Sequence, residues 1–99
     1  MMTLLEAVLK FTPQTLENIQ MQGEKLYEQK CVSVSDIDDY FASLIVQDGN
    51  YEHDVEFRIE DDRFGADCTC ATRQKTGRIC MHLVAGHAFL QAIAARGIS

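Results

Sequence analysis

Residues 68–82 read CTCATRQKTGRICMH. Cys68 and Cys70 form one pair of metal-binding residue types in this stretch. Cys80 and His82 form a second pair after a spacer of nine residues. Zinc binds thiolate sulfur and imidazole nitrogen tetrahedrally at ~2.0–2.3 Å, and four protein ligands close a structural site. We therefore predict that these four side chains hold one zinc ion per chain.

The N-terminus and the hydropathy of the chain favour an intracellular protein. Residues 1–6 lack a basic region and include the acidic Glu6, unlike a signal peptide. No apolar run approaches the ~20 residues that a membrane-spanning helix needs. We expect a cytoplasmic protein without membrane contact, and nucleoid or nuclear association is compatible with that. Thiols stay reduced in such compartments, which favours metal binding over disulfides.

The alternatives to zinc involve the same cysteines. They are a pair of disulfides, reduced buried thiols, or an iron–sulfur cluster. A disulfide between Cys68 and Cys70 would be strained, and histidine is uncommon as an iron–sulfur ligand. Two pairs of ligand-type residues joined by a short polar spacer rarely arise by chance, so zinc is our interpretation.

Ninety-nine residues with 46% hydrophobic content suit one domain with a modest core. We predict a single domain, 1–99, of the α+β class. It comprises a helical lead-in (1–30), a β-meander of three to four antiparallel strands (31–68), and the zinc site with a C-terminal helix (68–96). We expect the zinc between the sheet and the C-terminal helix.

The lead-in predicts two helices. Residues 3–10 are apolar enough for one or two turns. Thr12-Pro13 starts the second helix, because threonine is a good N-cap and proline is favoured at the first helical position. Apolar residues then recur at helical spacing through about Lys30; they are Leu16, Ile19, Gly23, Leu26 and Tyr27.

Gly23 lies on this apolar stripe, although a glycine inside a helix costs ~1 kcal/mol relative to alanine. A close approach between the helix and the sheet would explain it. A tolerated surface glycine is the alternative, and the sequence leaves both open.

The strands are indicated by alternation of apolar and polar residues. Asp48-Gly49 is a hairpin signal, and residues 60–63 form a polar turn. Cys68 shares a face of the last strand with Phe64, so this strand delivers the first ligand. The four alternating segments are 31–34, 40–47, 55–59 and 64–68.

The C-terminal helix, residues 80–96, is apolar nearly all round and ends at Gly97. Such a helix is typically buried on more than one side. A domain this small has few surfaces with which to cover it. We therefore expect part of the helix to contact a partner protein or a second copy, through Leu83, Phe89, Leu90 and Ile93.

The remaining histidines and the fourth cysteine are interpreted as ordinary residues. His87 lies seven residues beyond Cys80, about 10 Å along a helix at ~1.5 Å per residue, and cannot reach the same ion. His53 has no evident ligand-type partner. Cys31, at the start of a strand, is interpreted as a small core residue.

The ligand pattern resembles the SWIM zinc finger: Cys-x-Cys, a variable spacer, then Cys-x-His. Residues 23–27, GEKLY, also resemble the lead-in to the SWIM region of bacterial Swi/Snf-type helicase proteins, so the resemblance spans about residues 20–95. SWIM units also occur in Mutator-type transposases, some kinases with ubiquitin-ligase activity, and small partners of recombinase paralogues.

The resemblance implies a short sheet followed by a helix, with zinc between them. It also implies an accessory role in DNA-processing machinery such as helicase or recombination complexes. The sequence has no P-loop pattern, so nothing in it resembles an ATPase motor. We expect a stand-alone module or a fragment of a larger protein.

Four protein ligands leave no open metal position for catalysis, so we do not expect an enzyme.

The net charge of −6 argues against non-specific coating of nucleic acid. Residues 36–67 carry eleven acidic and two basic residues. We favour protein interaction as the function. The alternative is DNA binding by the basic spacer through Arg73, Lys75 and Arg78, although composition alone favours a solvated connector there.

Overall fold

Four antiparallel strands and four helices make up the computed structural model, which describes residues 2–11 and 14–97. The predicted α+β class is confirmed, with the cysteine and histidine cluster between the sheet and the C-terminal helix. The elements are α1 (Leu4–Lys10), α2 (Glu17–Glu28), β1 (Val32–Ile37), β2 (Phe41–Asp48), β3 (Tyr51–Glu60), β4 (Arg63–Cys68), α3 (Ala71–Thr76) and α4 (Met81–Gly97).

The strands form a meander in the order β1-β2-β3-β4. Two-residue turns connect β2 to β3 and β3 to β4. Asp48 pairs with Tyr51 across the first turn, where Gly49 has φ 63°. The second turn places Asp61 and Asp62 at φ 49° and 61°, a conformation that aspartate tolerates better than most residues. The predicted turn positions are therefore confirmed, and they fix the register of the sheet.

One face of the sheet carries the core and the other faces solvent. Every second residue of β3 from Val55 to Ile59 is buried, as the alternating sequence predicts. The helices cover this inner face, and α4 packs against all four strands as well as α1 and α2. The largest buried core side chains are Phe57, Leu4, Leu44, Leu83, Leu90, Val8, Val46 and Val55.

The two N-terminal helices differ in how they begin. Thr3 caps α1 by accepting a hydrogen bond from the backbone N–H of Glu6. Helix α2 begins at Glu17, without a side-chain cap. The predicted helix start at Thr12-Pro13 lies outside the described residues.

Gly23 permits a close approach between two helices. A Cβ at Gly23 would lie 2.7 Å from the carbonyl oxygen of Met81 and closer still to the side chain of Val84, both on α4. The sequence offered a helix-to-sheet contact or a surface glycine, and both are corrected by this geometry. The sequence pattern marks the apolar face of a helix but does not identify the element that packs against it.

The spacer between the two ligand pairs is partly helical rather than a simple loop. Cys70 is the N-cap of α3, and its sulfur accepts a hydrogen bond from the backbone N–H of Arg73. Gly77 ends the helix in the left-handed conformation, φ 69°. Sequence analysis missed α3 because its six residues have no apolar stripe and bury no side chain.

Among the helices of residues 2–11 and 14–97, none is long and apolar enough to cross a membrane.

Candidate metal centre

The four predicted ligands lie at the end of β4, at the start of α3 and at the start of α4. Cys68 is the last residue of β4, and Cys70 caps the following helix α3. Cys80 directly precedes α4, and His82 lies in its first turn. A strand end and a helix start thus each contribute one Cys-x-ligand pair, and α3 returns the chain from the first pair to the second.

The four ligand atoms form a compact, buried group. All lie within 4.8 Å of one another, and each residue is at most 5% exposed. The Sγ atom of Cys68 lies 3.8 Å from Nδ1 of His82. Two ligands of a tetrahedral zinc at normal bond lengths are about 3.6 Å apart. The donor set and its spacing therefore fit one metal ion with four protein ligands.

Hydrogen bonds from α3 hold the cysteine-bearing segment in place. The backbone N–H of Arg73 donates to Cys70 Sγ at 3.5 Å. The side chain of Gln74 donates to the carbonyl oxygen of Cys68 at 2.8 Å. Because both donors belong to α3, this short helix fixes the first ligand pair from one side.

Interactions inside the cluster shift the pKa values of its members. The hydrogen bond from the Cys68 thiol lowers the pKa of Cys80 to about 3, and the same bond raises the pKa of Cys68. Burial lowers the pKa of His82, but hydrogen bonds with Cys80 and Asp48 outweigh burial and raise that pKa to about 9. These interactions favour the thiolate form of Cys80, and the thiolate is the form of cysteine that binds metal.

Two residues of the β2–β3 hairpin complete the surroundings of His82, and sequence analysis missed both. The Oδ2 atom of Asp48 lies 2.9 Å from His82 Nε2. The ring of His53 lies against the ring of His82, with centroids 4.2 Å apart. The expectation that His53 has no ligand-type partner is therefore wrong. Only the strand register, which sets Asp48 and His53 at one end of the hairpin, could have suggested their proximity.

His87 and Cys31 lie outside the four-residue cluster. Buried His87 bonds the carbonyl oxygen of Phe11 through Nε2 at 2.7 Å, and desolvation lowers its pKa. Cys31 is half-buried immediately before β1, not a core residue as expected. Its position at the sheet edge explains the difference, because β1 has a neighbouring strand on one side only.

The basic residues of the spacer are not equivalent. Arg73 donates to the carbonyl oxygens of Ala66, at 2.8 Å, and Gly77, and its guanidinium lies 3.7 Å from the carboxylate of Asp67. Lys75 and Arg78 are exposed. The structure therefore assigns Arg73 to holding the spacer against β4 and leaves two of the three predicted cations facing solvent.

The four residues predicted to contact a partner fall into two groups. Leu83 and Leu90 are 1% and 0% exposed, covered by their own chain, and are not accessible to a partner. Both belong to the buried core of the chain, which sequence alone could not determine for a helix apolar all round. Phe89 and Ile93 are partly exposed and line an open groove of about 460 Å³ between α2, β1 and α4.

No protein-family model, no curated protein and no solved structure matches the chain. The resemblance to SWIM zinc fingers therefore depends on the ligand pattern of residues 68–82 and on residues 23–27 of the sequence.

Proposed function

We propose that the chain is a structural zinc module of the SWIM type, which acts as a non-catalytic protein-interaction component of DNA-processing machinery. The observation that carries this proposal is the buried group of three cysteines and one histidine at the junction of β4, α3 and α4. A structural zinc site of this kind contributes directly to the folding free energy. The metal ion would therefore serve to hold these three elements together.

The non-catalytic role follows from the closed ligand set. A catalytic zinc keeps a coordination position for water or substrate. Four protein donors within 4.8 Å of one another satisfy a tetrahedral ion completely. The ligands are also at most 5% exposed, so a substrate would have little access to the ion.

The proposed interaction surface is the groove beside α4. Its apolar wall includes Phe89 and Ile93, and Val32 of β1 lies opposite. Val34 lies on the same face of β1 as Val32, pairs with the inward-facing Leu44, and is nonetheless 43% exposed. The helical layer thus leaves apolar surface of the inner sheet face uncovered next to the groove, as a site for a partner would require.

Direct DNA binding through the spacer is the less supported alternative. Arg73 is engaged within the chain, so Lys75 and Arg78 alone would contact phosphate. Two charges give a small electrostatic footprint. The spacer has no aromatic residue on which a base could stack.

A comparison of charged variants in affinity purification tests the interaction role. We expect the wild-type chain to retain a defined partner from cells that express it, and Ile93→Glu to lose that partner while keeping its zinc. Tyr51→Glu is the matched control, because Tyr51 is 72% exposed and does not line the groove. Identical partners for all three proteins, or none for the wild type, would contradict the proposal. Identification of the captured protein by mass spectrometry decides whether it belongs to DNA-processing machinery.

A further inference from the structure

His82 also contacts Asp48, a residue that lies outside the cysteine and histidine cluster. Asp48 is the last residue of β2, and 34 positions separate it from His82 in the sequence. It is half-buried, and its Oδ2 atom lies 2.9 Å from Nε2 of the almost fully buried His82. A carboxylate thus meets the ring nitrogen that faces away from the cysteines.

The two ring nitrogens of His82 have separate partners. Nδ1 lies 3.8 Å from the sulfur of Cys68 and faces the ligand group. When Nδ1 binds a metal ion, the remaining nitrogen Nε2 carries the proton and can only donate a hydrogen bond. The carboxylate of Asp48 is placed to accept it. A carboxylate in this position fixes the tautomer and orientation of a metal-binding imidazole and increases its basicity.

The local structure holds this contact in place. Asp48 pairs with Tyr51 across the two-residue turn at Gly49, so its backbone is fixed by the hairpin. His53, on the returning strand, packs its ring against His82 at a centroid distance of 4.2 Å. The imidazole therefore has a hydrogen-bond acceptor at one nitrogen and an aromatic ring against its face, both supplied by the β2–β3 hairpin.

We propose that Asp48 is a positioning residue for the metal ligand His82, and that the β2–β3 hairpin sets the metal affinity through this carboxylate. The inference depends on metal binding at the proposed structural site. It extends the metal centre from its four ligands to a hairpin that contributes no ligand.

The same three side chains suggest another arrangement, in which a second metal ion binds Asp48, His53 and His82. That arrangement would need both nitrogens of His82 to bind metal at once, and therefore an imidazolate. A hydrogen bond from Nε2 needs only the ordinary neutral ring. It also satisfies the carboxylate, so we favour the positioning role.

Metal affinity of matched variants tests the proposal. Zinc affinity would be measured by competition with a chromophoric chelator for the wild type, Asp48→Asn and Asp48→Ala. Loss of an outer carboxylate typically weakens metal binding 10–100-fold, and we expect a decrease in that range for both variants. Asp48→Glu, which keeps the charge, should recover part of the affinity. Asp36→Asn on β1 is the control for the same chemical change at an exposed site and should bind zinc like the wild type.

Nitrogen-15 NMR of the imidazole gives a readout that a general loss of stability would not change. In the zinc-saturated wild type, His82 should show a metal-bound Nδ1 and a slowly exchanging proton on Nε2. In zinc-saturated Asp48→Asn, with a folded spectrum otherwise like the wild type, that proton should exchange faster. Unchanged affinity and exchange in Asp48→Asn would overturn the proposal.

The remaining outcomes separate this inference from the proposed function. Two zinc ions per wild-type chain, with one lost in Asp48→Asn, would overturn the positioning role in favour of a second metal site. Absence of metal binding by the folded wild type would overturn the structural zinc module and the positioning role together. Zinc binding by the wild type, with the same zinc affinity and the same Nε2 proton exchange in Asp48→Asn, would overturn the positioning role alone.

Discussion

His82 is the residue at which separate parts of the chain meet. Its Nδ1 faces the sulfur of Cys68 on β4, and its Nε2 meets the carboxylate of Asp48 on β2. Its ring also packs against His53. A single side chain in α4 therefore contacts three different strands of the sheet, so its orientation depends on the sheet being correctly assembled.

Cys80 is buried in the cluster, whereas Cys31 is half-buried and lies outside it, so serine substitutions at the two positions should have different effects. Cys80→Ser removes a buried ligand and should abolish tight zinc binding or leave the protein insoluble. Cys31→Ser changes a half-buried residue outside the cluster and should keep one zinc per chain. Elemental analysis of the two purified variants checks this. Equal loss of zinc from both would mean that the site is misplaced.

His87 gives a prediction of pH dependence. Its pKa is lowered by burial, so the unfolded chain binds the proton more readily than the folded chain. The stability that depends on neutral His87 is therefore present above the unfolded pKa of ~6.5 and lost as pH falls toward the folded pKa. The loss for one such group is at most about 1.4 kcal/mol per pH unit.

Chemical unfolding of the wild type and His87→Gln between pH 5 and 8 measures the contribution of neutral His87 to the free energy of unfolding. Glutamine can still donate to the carbonyl oxygen of Phe11, which now accepts from His87 Nε2, but it does not titrate. Release of zinc at low pH affects both proteins, so the difference between them isolates His87. We expect the wild type to lose more stability than the variant below pH ~6.5. If the free energy of unfolding fell equally with pH in both proteins, the prediction that His87 lowers stability at acid pH would be wrong.

At the scale of elements, α4 is the centre of the packing. It contacts α1, α2 and all four strands, and its first turn supplies the histidine of the cysteine and histidine cluster. Two glycines permit this close packing. Gly23 of α2 faces Val84, and Gly86 of α4 faces Phe57, where a Cβ would lie 2.8 Å from the ring. An element apolar all round is thereby covered on several faces within a chain of 99 residues.

Substitution at Gly23 tests the helix–helix contact. Alanine usually stabilises a helix by ~1 kcal/mol relative to glycine. At Gly23 the added methyl would collide with the side chain of Val84 and the backbone of Met81. Overpacking of this kind costs about 1–3 kcal/mol, so we expect Gly23→Ala to lower the free energy of unfolding. Gln22→Ala, at an exposed position of the same helix, should be neutral or stabilising. A more stable Gly23→Ala protein would contradict the packing.

The elements predicted well from sequence are those with a regular apolar period and clear turn residues. Val55, Phe57 and Ile59 alternate with charged residues, and they form the buried face of β3. Helix α3 was missed because it has no buried face. The role of Asp48 was missed for a different reason. An acidic residue beside a turn glycine is common, and only the tertiary fold brings it to a histidine 34 positions away.

At the scale of the whole molecule, the ligand cluster was predictable because metal chemistry restricts it to a few residue types at short spacing. The interaction surface was not. Sequence shows that α4 is apolar all round, but only the packing separates the buried Leu83 and Leu90 from the partly exposed Phe89 and Ile93. The groove arises because α2 and α4 leave part of the sheet uncovered, and sequence periodicity does not report such gaps.

The charge distribution of the whole molecule leads to a prediction about DNA. The net charge is −6, and the outer face of β3 carries Glu52, Asp54 and Glu56. We expect no measurable binding of duplex DNA by the isolated chain at physiological salt, because its acidic surface opposes the approach of phosphate. Fluorescence anisotropy titration checks this. Submicromolar binding that disappears in the Lys75→Glu/Arg78→Glu variant would favour the DNA-binding alternative.

In the proposed structural module, one zinc ion holds β4, α3 and α4 together. The most direct test of this role is the metal content of folded, reduced protein, measured by elemental analysis and followed through chelation. We predict one zinc per chain. Removal of zinc should unfold the C-terminal half, because structural zinc contributes ~10–16 kcal/mol of apparent binding free energy to folding. A folded, reduced chain that contains no zinc, or one that keeps its structure after complete removal of zinc, would contradict a structural role for zinc in this protein.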